Sequence, residues 1–255
     1  MATGRTVSRW TRFYADGYDL SSYAMSIGPL DYIFDEANLT TLGDAVKGYL
    51  PNKPSVKIGT LNGVFDNTAT SGLHVVASGA GTYRNVMIPV GIRAEPAAGD
   101  PVFAGIFMQS GYQASGDGPV TVSIPFSDWY TSQLIAYSKP WGRLLYANAA
   151  RTSATGVNTG TGIDDGAAST KGGYMAYQVF AGNGTATLSV DDSADNVNFL
   201  ALSGATTGSV NWSTVAGGLV AIGTTADVRQ YLRWQIAFGT ATSVTFALAF
   251  CRATY

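Results

Sequence analysis

The stretch ATLSVDDSADNVNFLAL, residues 186–202, sets Asp191, Asp192 and Asp195 between two apolar runs. Ala186, Leu188 and Val190 alternate with Thr187 and Ser189 on its left, and Val197, Phe199 and Ala201 alternate with Asn198 and Leu200 on its right. A period of two is that of a half-buried strand, so the passage reads as a hairpin with its acids at the bend. A carboxylate there can accept a hydrogen bond from an N–H two residues on, and the Asp195-Asn196 pair tolerates positive φ. The competing reading is a calcium site built from Asp191, Asp192 and Asp195. That would need roughly six to eight converging oxygens, and the stretch lacks the glycine and the distal bidentate Glu of the calcium loop that sequence can identify. The turn reading predicts that all three can become Asn without loss of folding.

Composition extends the same reading to the whole chain. Its 255 residues are enough for one large or two small domains. Only 13% of residues are charged, just two of 17 acids are Glu (Glu36 and Glu95) and five of 15 bases are Lys, so the usual residues of an exposed helix are scarce. Gly, Val, Thr, Tyr and Phe abound instead, as strands and tight turns require. An all-β fold of barrel or sandwich units is expected.

Charge and cysteine content narrow the function classes. A net charge of −2 gives no general attraction to nucleic acid, although Arg5, Arg9 and Arg12 make the start locally basic and, with Trp10, are candidate interface residues. No apolar run reaches membrane-span length and MATGRTVSRW has no signal-type segment, so synthesis and folding in a cytoplasm are expected. Cys251 is the single cysteine and lies in the apolar run VTFALAFC, where it reads as core packing.

Catalytic patterns are thin. One histidine, His74 in the strand-like GLHVVAS, cannot build a histidine metal site, and a dyad with Ser71 or Asp66 competes with an ordinary strand histidine. No Gly-x-Ser-x-Gly elbow is present, and Gly160 and Gly162 lack the strand–turn–helix frame of a phosphate cradle. The expectation is a protein without enzymatic activity, cofactor or metal.

Along the chain one helix is expected. In LTTLGDAVKGYLPNKP, Leu42, Val46 and Leu50 recur every four residues, Thr40 or Thr41 can cap the start, and Pro51 and Pro54 stop it, which gives a helix over about residues 40–50 lying on a sheet. A break near Lys139-Pro140 divides the chain into β units 1–140 and 141–255. Residues 153–173, rich in Gly, Ser and Thr, read as a loop that is mobile or ordered only against a neighbour, which makes Asp164, Asp165 and Lys171 further interface candidates. GVFDNTATSGLHVVASG and GIDDGAASTKGGYMAYQVFAG share an acid position, an Ala with hydroxyls, a Gly and an alternating run, the pattern of an internal duplication or of chance similarity in biased sequence. Trp10, Tyr14, Trp129, Tyr130 and Trp141 suit either core or interface.

FDNTATSGLHVV, IDDGAASTKGGYMAYQVF with LSVDDSADNVNFLAL, and RQYLRWQIAFGTATSVTFALAFCR together resemble the major tail (tail tube) proteins of long-tailed bacteriophages. The resemblance covers most of the chain but carries no diagnostic catalytic motif. It implies a virion protein assembled in the host cytoplasm, whose β units stand side by side in stacked rings with other tail proteins and pass DNA through the lumen without binding it specifically. Six chains would form a ring, or three if each carries two tube-like units. A capsid decoration protein and a carbohydrate- or receptor-binding sandwich are the alternatives, the latter because SADNVNF resembles the hairpin of galactose-binding-like sandwiches.

Overall fold

A computed structural model describes residues 6–43, 45–92, 94–116, 118–129, 139–155 and 158–253. The first half contributes β1 (Tyr14–Ala15), β2 (Tyr18–Asp19), β3 (Ala24–Ile27), β4 (Leu30–Asn38), β5 (Tyr49–Ile58), β6 (Leu61–Val64), the short helix α1 (Leu73–Ala77), β7 (Thr82–Pro89), β8 (Pro101–Gln109), β9 (Gln113–Ser115), β10 (Thr121–Ile124) and β11 (Phe126–Trp129). The second half adds β12 (Trp141–Thr152), β13 (Ile163–Asp164), β14 (Gly173–Gly182), β15 (Thr185–Ser193), β16 (Leu200–Thr206), β17 (Val210–Asn211), β18 (Ala216–Ile222), β19 (Tyr231–Phe238) and β20 (Ser243–Arg252). The expected all-β character is what the structure shows.

A central antiparallel sheet runs β18-β14-β20-β12-β8-β7-β1-β2, with β11 also on β8, so it draws strands from both sides of residue 140. Its two faces are written in β20. Val244, Phe246, Leu248 and Phe250 pack outward with β15 and β19, while Ala247, Ala249 and Cys251 face the other way. The same alternation separates Phe103 from Val102 and Ala104 in β8, and Val86 and Ile88 from Met87 in β7. Small residues dominate the second face because the sheet curls around it, so β2 and β7 come to touch β14 and β18, and a concave surface has less room per residue. Tyr14 and Tyr174 fill its middle, and the Tyr174 hydroxyl donates to the Ala104 carbonyl at 2.6 Å.

Where the curl meets itself, the strand ladder is replaced by one side chain. The buried Gln178 of β14 accepts from the Gly17 N–H at 2.6 Å and donates to the Asn85 carbonyl at 2.9 Å. Gly17 is required there, since its φ is +84° and an added Cβ would lie 2.4 Å from the Ala216 nitrogen.

Two further sheets cover the outside. β3-β6-β10-β9, with α1 and the inner ends of β4 and β5, closes a core around Phe13, Leu61, Leu73, Phe103 and Phe107. β13-β19-β15-β16, with β17 on β15, closes a second around Leu188, Trp212, Trp234, Phe246 and Phe250. One core therefore lies in each half of the chain, joined through the shared central sheet.

Several local expectations are corrected. The described residues of 40–50 (all but 44) form no helix: they lie at the outer end of a hairpin in which β4 pairs with β5 from Leu30↔Ile58 to Asn38↔Tyr49. Gly43 and Gly48 weaken a short helix by about 1 kcal/mol each, whereas DYIF and KPSVKI can satisfy each other's backbone as strands. The helix lies instead at Leu73–Ala77, where GLHVVAS was read as a strand; the Asp66 carbonyl accepts the His74 N–H and the Asp66 carboxylate caps the turn before it. The passage set beside it, YMAYQVFAG, forms β14, so these two similar stretches fold differently. Residues 158–173 are fastened to their own chain, by the Thr159↔Gln235 and Ser169↔Val228 bridges and by β13 on β19.

Candidate interaction surface

The aspartates of the opening stretch separate into two kinds. β15 continues through Ser193, so Asp191 and Asp192 are buried strand residues rather than turn residues. Asp191 accepts from Arg233 Nε at 3.0 Å and Nη2 at 2.9 Å, and the Arg233 guanidinium lies 4.3 Å above the Phe199 ring centroid. Asp192 accepts the Arg229 N–H at 2.8 Å and its Nη1 at 3.2 Å. Asp195 alone is the turn acid. Its Oδ1 accepts the N–H groups of Asn198 at 2.8 Å and Val197 at 2.9 Å, its carboxylate takes the Asn198 amide and the Ser193 hydroxyl as well, and these bonds hold it well below the usual carboxylate range. Asn196 adopts φ +60°. The right-hand flank is out of phase with its reading: Val197 and Leu200 are exposed and Leu202 is the buried residue. Among the described residues no three His, Cys, Asp or Glu groups converge on a metal position.

The other candidates scatter. His74 places Nδ1 2.8 Å from the Tyr112 hydroxyl, not on Ser71 or Asp66. Asp165 is interior: Arg252 Nε donates to it at 2.5 Å and Arg143 stands 3.9 Å away, while burial raises its carboxyl's pKa against the pull of Arg252. Asp164 is exposed, accepting from the Gln230 amide and the Gly166 N–H, and Lys171 is exposed. Arg5 and Tyr130 lie outside the described residues. The segment from Thr6 to Phe13 lies along its own chain, with Arg12 N–H on the Pro89 carbonyl and Gly91 N–H on that of Trp10. Arg12 ion-pairs with Glu95, and the exposed Arg9 stacks 4.1 Å over the half-buried Trp10. Tyr14 is core, and Trp141 sits edge-on to Phe103 at the surface. No helix among the described residues is long and apolar enough to cross a membrane.

What does come together is the hairpin of β4 and β5. Burial falls along it: Val56 and Ile58 are in the first core, and farther out Leu39, Leu42, Val46, Tyr49 and Leu50 are exposed, Leu42 completely. Among the described residues nothing stands within 4 Å of a Cβ built on Gly43 or Gly48. At about 3.4 Å per residue, nine-residue β4 carries the tip about 30 Å from its root. A two-stranded ribbon is marginal alone in water, and a run of exposed large apolar side chains marks a place where another surface belongs.

Beside the root lies an open groove between the N-terminal segment and β3, lined by Arg9, Arg12, Phe13, Met25, Ile27 and Leu30 among others. Among the described residues β3 ends its sheet, pairing with β6 alone, and all four of its residues line this groove. Met25 is 65% exposed there. Sequence reading missed both features. The signals for the arm were the two glycines inside the supposed helix and the alternation of KPSVKI behind it.

No protein-family model matches the chain, and no curated protein matches it. Among solved structures, the crystal structure of the SPP1 Dit protein, described as a hub adsorption apparatus protein of phages infecting Gram-positive bacteria, aligns over 96% of this chain and 99% of its own with 11% identity and a TM-score of 0.35. A likeness at that score shows neither a shared fold nor a shared role.

Proposed function

We propose that the chain is a structural protein of a bacteriophage virion that works by self-association, and that its assembled form is a ring of the tail tube. The observation that carries the reading is the projecting arm with its exposed Leu39, Leu42, Val46, Tyr49 and Leu50. Apolar area of that kind is kept in water only at a cost, and a partner removes the cost. The resemblance of three long stretches to tail tube proteins supplies the kind of assembly. In such a ring the chain needs no cofactor and performs no reaction, and DNA crosses the lumen without specific contact. A net charge of −2 suits that role, because a basic lining would retain phosphates by counterion release.

Electron microscopy of the purified chain over a concentration series, with light scattering on the same samples, tests the proposal. Rings or tubes of uniform width are expected, and their symmetry distinguishes six chains from three. A monomer at every concentration overturns it, and a glycan array then tests the receptor-binding alternative.

A further inference from the structure

We infer that the arm of one copy seats in the groove between the N-terminal segment and β3 of the next copy. The inference rests on the self-association reading and adds its contact. An extended arm cannot fold back on the groove at its own root, since β4 begins at Leu30, a groove residue, and stays paired with β5 as far as Asn38↔Tyr49. The groove is thus open to the arm of another molecule, and the chemistry favours a second copy of this chain. The exposed outer half of the arm carries Asp35 and Glu36 against the single described cation Lys47, whereas the described lining of the groove holds Arg9 and Arg12, the latter also paired with Glu95, and no carboxylate. Leu42, Val46 and Leu50 supply the apolar surface that Met25, Ile27 and Phe13 can cover. The edge of β3 that no described strand pairs adds backbone donors and acceptors for an incoming strand. Arm and groove are different surfaces, so the contact is heterologous: each copy gives one arm and receives one, and the chain of contacts either closes into a ring or grows as a filament.

The test uses two full-length variants at exposed positions, Leu42→Asp in the arm and Met25→Asp in the groove, with melting curves to check that both fold like the parent. Sedimentation velocity is the readout. Each variant alone should associate at least about 30-fold more weakly than the parent, the effect of removing one interface anchor. Mixed in equal amounts, they should form 1:1 dimers and nothing larger, because the mixture offers one intact arm to one intact groove. If the parent assembles and Met25→Asp assembles equally well while Leu42→Asp does not, the arm docks elsewhere: the inference falls and self-association stands. A parent that never associates overturns both.

Discussion

Replacing Gln178 should open the seam of the central sheet. Its amide joins two backbone groups across the seam, the Gly17 N–H and the Asn85 carbonyl. The two partners are not equally exposed to loss. Asn85 O also accepts the Asp16 N–H at 3.0 Å, so it keeps a donor, but the Gly17 amide is packed against Ala216 and Val179 and is left without a bond. A lost hydrogen bond of ordinary strength plus a stranded buried donor amount to about 2–4 kcal/mol. Gln178→Met keeps most of the side-chain volume, so its cost isolates the hydrogen bonds from any cavity. For a chain of this size that loss should lower Tm by about 5–15 °C, and the Gly17 amide should exchange with solvent much faster. Gln178→Glu should fare no better, because it presents an oxygen to the Asn85 carbonyl and buries a charge. Urea titration and amide exchange are the assays. A Met variant within about 0.5 kcal/mol of the parent, with Gly17 still protected, would refute the idea that this side chain holds the curl shut.

The ion pairs of β15 give a second set of expectations. Asp191→Asn and Asp192→Asn should each cost about 1–3 kcal/mol, less than a fully buried pair because Arg233 and Arg229 are partly in water; a triple Asn variant that melts like the parent would contradict this. Asp195 has a folded pKa below its unfolded value, so its stabilisation of the turn is complete above about pH 4 and is lost as pH falls. Asp195→Asn should therefore flatten the fall in stability between neutral and acid pH, measured by Tm, and an unchanged profile would count against it. Burial pushes the Cys251 thiol up to about 12, so a thiol reagent at neutral pH should label it only in denaturant. Gly160→Ala should destabilise, since its Cβ would lie 2.2 Å from the Trp234 indole nitrogen, and an unchanged Tm would show that the loop over Trp234 can give way.

The class of the fold was legible because each half of the chain states it in period two. SVTFALAFC shows most clearly how much a strand can say: large residues alternate with small ones, and the structure puts the large ones in a sandwich and the small ones inside a curl. The curl itself was not legible. Its closure depends on Gln178, a residue whose type suits any exposed strand, and on Gly17, in a turn that could have stood anywhere. The aspartate stretch was half legible. Turn chemistry explains Asp195, but Asp191 and Asp192 needed the arginines of β19 and the segment before it, about 40 positions downstream, and nothing local marks a carboxylate that will be paired across strands.

The supposed helix at residues 40–50 failed for a more instructive reason. Leu42, Val46 and Leu50 recur as on the buried stripe of an amphipathic helix, and that inference assumes that apolar residues are spaced to meet the chain's own core. In the arm none of the three enters a core of the chain, and each is exposed. Residues placed for a second molecule obey the geometry of that molecule's surface, so their spacing carries no information about the secondary structure that bears them. Gly43, Gly48, Pro51 and Pro54 did carry such information, each disfavouring helix or ending it. Where strong breakers and an apolar stripe share one short segment, the breakers report the backbone, and the stripe is the surface that the proposed self-association would cover.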